Sequence, residues 1–474
     1  MIREEAKNLM NTTTQKLTIK EKAGYGFGDL ASVLYWQTIS AYLLYFYTDV
    51  FGITAAAAGT MILVSRLWDG VNDPMMGIIA DRTNTRWGKF RPYLLWFAVP
   101  LAIVGVLTFT TPDLSASGKL IYAYVTFILL MMLYTAINIP YSSLLGVITP
   151  DPIERTSVSS YKYVFAYLSG TIVSAFALPL TVFFGAGNEA HGWQLTMTVF
   201  GLAAVIFFFI TFILTRERVQ PPKTQKASIA QDLKDLVANK PWILLLFTTL
   251  LMILFVATRM SVTAHYFKYY VGDQHVTLLG KTYTYGFVAL TSAFNAIGQW
   301  LAIIGVIFTN FFAKKIGKKR AFLILFATAA VSTAIFFLLK PEEVILMFIF
   351  QAIGSFAGGP LSPLIWAMYA DAADYSEWKT GRRATGLVFS ASTMSQKFGW
   401  AIGAFLAGTL LSAFGFQANL AQNPEVLSGL KALMSIIPAA AGCVAIALIL
   451  FYKLDESTMR RIAMELNERR GTAE

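Results

Sequence analysis

Twelve stretches of this 474-residue chain are each long and apolar enough to be read as a helix crossing a bilayer. A crossing needs about 20 mostly apolar residues. The stretches run approximately over residues 29–50, 54–80, 92–111, 119–148, 161–184, 195–215, 241–270, 284–312, 321–339, 343–370, 385–414 and 431–452. Few folds are open to such a chain, because in hydrocarbon every backbone amide must be satisfied within its own segment or by a neighbour. The expected class is an all-α integral membrane protein with twelve transmembrane helices in two six-helix bundles. Composition points the same way: 56% of residues are hydrophobic and 14% charged, where a soluble chain carries roughly 25% charged.

The net charge of +11 would suggest nucleic acid in a soluble protein. Here it has a simpler source, because lysine and arginine collect in cytoplasmic loops. With both termini placed in the cytoplasm, 30 of the 38 basic residues fall in the tails and cytoplasmic loops. The other side holds Lys119, Lys268, Lys281, Lys340 and Lys431, and the spans themselves hold Arg66, Arg259 and Lys397. The expected plan is a cytoplasmic tail (1–28), a six-helix bundle (29–215), a central cytoplasmic loop (216–240), a second bundle (241–452) and a cytoplasmic tail (453–474). Six-plus-six plans suggest a binding cavity between related halves near the membrane midplane. The basic loops 81–91 and 313–320 echo each other at the same place in each half. The first 28 residues show no apolar run with a small-residue cleavage site, so no cleaved leader is expected. The expected location is the plasma membrane, the inner membrane of a bacterium.

Ionisable groups inside a membrane are costly and mark functional sites. Asp69 and Asp73, four residues apart, share one helix face, with Asn72 beside them. Two carboxylates and an amide oxygen suit a small cation such as sodium, or a proton shared between two acids. Arg66 and Asp69, three apart, also allow a plain ion pair, which leaves Asp73 unexplained. Pro74 follows and frees a backbone carbonyl. In the fourth span Thr135, Asn138 and Ser142 form one polar stripe, equally readable as a site or as helix–helix adhesion. Arg259, Lys397 and Lys162 are candidate cavity cations. Gly358 to Pro363 predicts a broken helix, and Trp366 one turn later offers a ring for a sugar face.

The chain resembles the glycoside–pentoside–hexuronide:cation symporters of melibiose-permease type, within the major facilitator superfamily. The resemblance lies in Gly24-Tyr25-Gly26-Phe27-Gly28, Tyr47-Thr48-Asp49, Arg66-Leu67-Trp68-Asp69 with Asn72-Asp73-Pro74, Arg86-Trp87-Gly88-Lys89-Phe90, Tyr134-Thr135 with Ile139-Pro140, and Ala370-Asp371-Ala372-Ala373-Asp374-Tyr375-Ser376-Glu377-Trp378. It implies alternating access driven by sodium or proton entry, with a cation site at Asp69, Asn72, Asp73 and Thr135, and a lysine near the sites at Lys397. If the ion is sodium, Asp69 and Asp73 are its metal ligands. The sugar site departs from the melibiose branch: a Lys-Asp pair falls at Ser32 and Val33, an aspartate at Asn138, a tryptophan at Ser142, and an arginine at Tyr163, beside Lys162. A cavity that has lost two acids but kept Arg259, Lys162 and Lys397 favours an anionic sugar whose carboxylate meets Arg259 or Lys162. The alternative is a neutral glycoside held by Gln37, Asn138 and Trp366. Asp81, Arg82, Asp371, Asp374 and Arg382 are candidate inner-gate charges.

Other classes fare worse. No Gly-x-x-x-x-Gly-Lys-Ser/Thr loop is present for ATP drive. One cysteine, Cys443, and three histidines, His191, His265 and His275, offer neither disulfide, metal site nor catalytic constellation, so no enzyme and no cofactor beyond the coupling ion is expected. The partners expected are a sugar or glycoside, the cation and the lipid bilayer, with no nucleic acid and a functional monomer. A related-fold lysolipid carrier and a non-transporting sugar sensor are the competing readings.

Overall fold

The computed structural model describes residues 16–149, 152–218, 236–278, 281–381 and 385–471. It is overwhelmingly helical. The first half comprises α1 (Ile19–Tyr45), α2 (Ala55–Arg82), α3 (Arg91–Thr108), α4 (Ala116–Val147), α5 (Pro152–Gly185) and α6 (Glu189–Leu214). The second half opens with α7 (Lys240–His265), the strands β1 (Gln274–Leu278) and β2 (Lys281–Tyr285), α8 (Phe287–Ile307) and the short α9 (Thr309–Ile316). It continues with α10 (Lys318–Ala334), α11 (Val344–Gly358), α12 (Leu361–Thr380), α13 (Thr385–Ala413), α14 (Pro424–Met434), α15 (Ile436–Leu450) and α16 (Glu456–Gly471).

Nine of the helical stretches among the described residues are both long and apolar enough to span. The expected spans 29–50, 54–80 and 385–414 fall on α1, α2 and α13, of 27, 28 and 29 residues, which are long enough but more polar. These three are the helices that carry Asp29, the Asp69–Asp73 pair and Lys397. The expected break in the tenth span is present, between α11 and α12 at Gly359-Pro360.

Contacts divide the chain into two compact units. One is Met1–Ile39, Asp49–Ile53 and Leu67–Thr224; the other is Ser40–Thr48, Thr54–Arg66 and Gln225–Glu474. Residues 40–48 and 54–66 thus group with the second half rather than with the helices they continue. Most of the central loop, residues 219–235, lies outside the described residues.

Local chemistry explains the helix ends. Asn188, Asn239 and Asn423 each accept a backbone N–H three residues on (3.1, 3.1 and 2.9 Å), and proline follows at 241 and 424. These are N-caps with proline in the first turn, where its missing N–H costs nothing. Helix α1 begins about ten residues earlier than the apolar pattern predicts. Thr18 caps it: the hydroxyl accepts from the Glu21 N–H (3.2 Å) and donates to the Glu21 carboxylate (3.5 Å). The charges that disguised this turn are neutralised within the first unit, Lys22 by Glu154 (2.9 Å) and Glu21 by Arg218 (2.6 Å).

The glycines of 24–28 are contact points. A Cβ on Gly24, Gly26 or Gly28 would overlap Leu214, Phe165 or Tyr141 respectively. Small residues let helices approach closely where lipid offers no hydrophobic drive for them to associate. Tyr25 and Tyr141 stack at 4.6 Å, and each hydroxyl donates to the other's carbonyl (3.1 and 2.8 Å).

The halves repeat two devices. The first helix of each ends in a six-residue π turn, Phe46–Phe51 and Tyr266–Val271, closed by a glycine with positive φ, Gly52 (86°) and Gly272 (66°). Beyond each half's sixth span lies a glutamate that grips the loop between that half's second and third spans. Glu217 accepts the N–H groups of Lys89, Phe90 and Arg91 at 2.8, 2.7 and 3.0 Å, beside Gly88 (φ 109°). Glu456 accepts the Lys318 N–H at 3.1 Å, beside Gly317 (φ 82°). Both glycines stand in the left-handed region that side chains rarely adopt.

Two features depart from the sequence reading. Strands β1 and β2, which take up chain expected as loop and the start of the expected span 284–312, pair antiparallel, His275 with Thr284 and Val276 with Tyr283. The C-terminal tail holds a docked helix, α16, whose Met459, Ile462 and Leu466 are buried in the core of the second unit. Trp378 donates to Glu465 at 2.5 Å to fix it there. Asp455 caps α16 from outside the spans; hydrogen bonds from Thr458 and Ser457 hold its carboxyl down at about 2.

Candidate functional site

Within the first unit, α2 and α4 bring the predicted cation ligands together. The Thr135 hydroxyl donates to Asp73 Oδ1 at 3.1 Å. Asp69, one turn earlier on α2, is 1% exposed and Thr135 4% exposed. Asn72 is half-buried, and its Nδ2 meets no acceptor among the described residues. The set is two carboxylates, a hydroxyl and an amide. Hard oxygen donors of this kind suit an alkali cation or a proton. Among the described residues no three His, Cys, Asp or Glu side chains stand close enough to chelate a metal.

The predicted sugar residues of this unit are more dispersed. Gln37 on α1 is half-buried and donates to Ser174 at 3.4 Å. Asn138 donates to the Tyr134 carbonyl of its own helix at 3.0 Å, and Ser142 is exposed.

Lys162 lies 3.8 Å from Asp29 and faces the rings of Tyr141 and Tyr163. Asp29 escaped the sequence reading because it stands at the boundary first drawn for α1. Its signal was available: it is a carboxylate directly after the Gly24–Gly28 motif. It restores an acid to a region read as having lost two, so Lys162 is not a cation awaiting a substrate.

Arg259 differs. Its guanidinium lies in the second unit over the rings of Phe336 (4.7 Å) and Phe294 (5.6 Å). The residue keeps partial exposure, but Nε and Nη2 are buried and meet no acceptor among the described residues. Cation–π contacts supply roughly 1–2 kcal/mol. Stranding a buried charge without its counterion costs about 3–5 kcal/mol. The rings therefore offset only part of the cost.

Lys397 on α13 is half-buried, and Trp366 packs on Tyr369 (5.7 Å) beside the core of the second unit.

Of the gate residues, Asp371 pairs with Lys318, and Arg382 lies outside the described residues. The pairing follows from α12, which runs on to Thr380 and carries Asp371 alongside the start of α10. Arg82 is exposed in the last turn of α2; the Asp81 side chain lies outside the description; Asp374 is half-buried. Lys318, Glu217 and Glu456 were not anticipated, because each binds across more than 50 residues of sequence with no local pattern.

Comparison with known proteins joins these observations. Residues 24–456 match the family described as MFS/sugar transport protein. The isoprimeverose transporter of Lactiplantibacillus pentosus is 39% identical, covering 94% of this chain and 90% of that protein. A glucuronide carrier protein homolog of Escherichia coli (strain K12) is 30% identical over 96% of this chain and 97% of that protein. The crystal structure of tetrameric PepTSo2 shares the fold at 13% identity, with a TM-score of 0.65 covering 94% of this chain and 99% of that one.

Proposed function

The chain belongs to the MFS/sugar transport protein family, and from that premise we propose that it carries a sugar or glycoside together with a cation, sodium or proton, by alternating access. It is a multi-pass membrane transporter and not an enzyme. The observation that carries the coupling reading is the Thr135–Asp73 hydrogen bond with Asp69 buried one turn away. Two carboxylates so placed repel one another until a cation or a proton sits between them. A sodium ion would take oxygens from Asp69, Asp73, Thr135 and the Asn72 amide. A proton would be shared by the two acids. Ion entry then lowers the cost of moving this face of α2 past neighbouring helices, which ties transport to the ion gradient.

Support for the substrate class comes from the relatives' names, an isoprimeverose transporter and a glucuronide carrier homolog. One names a neutral sugar, the other an acidic one. Gln37, Asn138, Ser142 and Trp366 are the uncharged candidates for holding sugar hydroxyls and faces, and Lys397 is the lysine that the family resemblance implies. The asymmetry of basic residues supports cytoplasmic termini and insertion in a bacterial inner membrane. We read the functional unit as a monomer.

The test is uptake into sealed vesicles of labelled neutral glycosides and uronates, with imposed sodium or proton gradients, for wild type and Asp73→Asn. Accumulation on one gradient that the variant abolishes establishes symport and identifies the ion. Sugar binding without accumulation would replace this reading with a sensor. Competition by lysolipid alone would replace it with a lipid carrier.

A further inference from the structure

Five basic residues fall within 314–320, and the structure uses them in two ways. Lys318 pairs with Asp371, and Lys319 donates to the carbonyls of Leu450 and Tyr452 (3.0 and 2.6 Å). Those two charges turn inward and are met. Lys314, Lys315 and Arg320 are exposed, and the two lysines close the last turn of α9. Helix α9 carries no acidic residue. The acids at its exit are taken, Asp371 by the Lys318 side chain and Glu456 by the Lys318 N–H.

The two lysines end an apolar stripe. On α8, Trp300, Ile304 and Ile307 are 53, 39 and 72% exposed, and Phe308 and Phe311 continue the series at 45 and 53%. Spacings of three and four residues put such side chains on one helix face. The chain stays helical through the junction with α9: Phe308 has φ −81° and ψ −2°, and its carbonyl accepts the Phe312 N–H at 3.1 Å. Continued at about 100° per residue, the same face runs out in Lys314 and Lys315. The Lys315 ammonium lies 5.3 Å from the centre of the Phe311 ring. The opposite side of α9, with Phe312, Ala313 and Ile316, packs against the core of the second unit. That packing fixes which face is outward. In a membrane-spanning chain an outward apolar stripe meets acyl chains, and cations at its end reach the headgroups.

We propose that this face of α8 and α9 holds an anionic phospholipid, with its phosphate between Lys314 and Lys315 and an acyl chain along Phe311, Ile307 and Ile304. A free phosphate could use only the charges, and a neutral lipid only the stripe. A lipid with both a negative headgroup and acyl chains uses the whole face. The site lies within the second unit and is independent of which sugar or ion is carried.

The experiment titrates the purified full-length protein, in neutral detergent micelles, with dioleoylphosphatidylglycerol or dioleoylphosphatidylcholine. Native mass spectrometry counts the lipids bound. Wild type is expected to hold one phosphatidylglycerol about tenfold or more tighter than phosphatidylcholine. Lys314→Gln combined with Lys315→Gln removes that preference, and arginine at both positions keeps it. Lys453→Gln combined with Arg460→Gln, which deletes two other exposed cations of the same unit, also keeps it. Equal retention of the two lipids by wild type, a preference that survives the paired glutamines at 314 and 315, or an equal loss in the 453 and 460 pair would each overturn the proposal. Glycerol 3-phosphate displacing phosphatidylglycerol at equal concentration would overturn it too, because the stripe would then contribute nothing. If the paired glutamine variant fails to fold, Lys315→Gln alone and the wild-type comparison still decide.

Discussion

The carboxylate of Glu217 closes over the bend at Gly88, taking three successive backbone N–H groups, those of Lys89, Phe90 and Arg91. It thereby fixes the loop between α2 and α3 to the chain leaving α6. A Cβ on Gly88 would fall inside the Glu217 carboxylate, and its φ of 109° excludes most side chains besides. The Arg86–Phe90 motif is therefore a structural bend as much as a family mark.

Glu217→Ala is expected to lower stability by about 2 kcal/mol, the scale of hydrogen bonds to a charged acceptor whose donors are left unmet. Gly88→Ala is expected to match or exceed it. Thermal unfolding in detergent micelles reads both. Unchanged midpoints for the two variants would dismiss the clasp.

Thr135→Ala removes a hydroxyl that donates to Asp73. The apparent affinity for the coupling ion should fall about tenfold, with a smaller effect on sugar affinity at saturating ion. Ion titrations of uptake separate the two quantities. An unchanged ion dependence would place the ion elsewhere.

Asp29 and Lys162 should be coupled. Asp29→Asn and Lys162→Met each leave a partly buried charge unmatched, whereas the double variant leaves none. The double variant is expected to be more stable than the sum of the single losses predicts, by about 1 kcal/mol. Additive losses would mean that the 3.8 Å approach carries no energy.

Trp378→Phe keeps the ring and loses the bond to Glu465. Limited trypsin digestion should then cut faster at Arg460 and Arg461, which lie on α16. Acidification should leave the Asp455 cap in place until very low pH. The Asp455 cap is present above the carboxylate's unfolded value of about 4 and is lost only as pH falls through its folded value of about 2. Loss of the Asp455 cap near pH 5 in wild type would contradict this.

The all-α membrane class was legible because hydrocarbon thickness dictates length and apolarity residue by residue. Asp69 and Asp73 stood out as candidate cation ligands because they repeat at helical spacing and have no reason to lie in lipid. Asp29 was hidden by α1's charged first turns, which the Thr18 cap and three distant partners, Glu154, Lys162 and Arg218, make tolerable. The pairing of Asp371 with Lys318 was hidden by distance along the chain. Arg259 was visible as a misplaced charge, but only the geometry distinguishes its unspent edge from the matched charge of Lys162. The hairpin at 274–285 carries alternating Tyr and Thr, a strand pattern overshadowed by the apolar runs beside it.

Glu217 and Glu456 reach their loops through main-chain amides, and such bonds ask nothing of the side-chain letters in the segment they hold. Mutation is free to rewrite those letters while each bend keeps its shape. Two copies of an ancestral six-helix piece could thus drift until no alignment of their loops survived, and still be recognised as copies by a glycine, a glutamate and the turn between them.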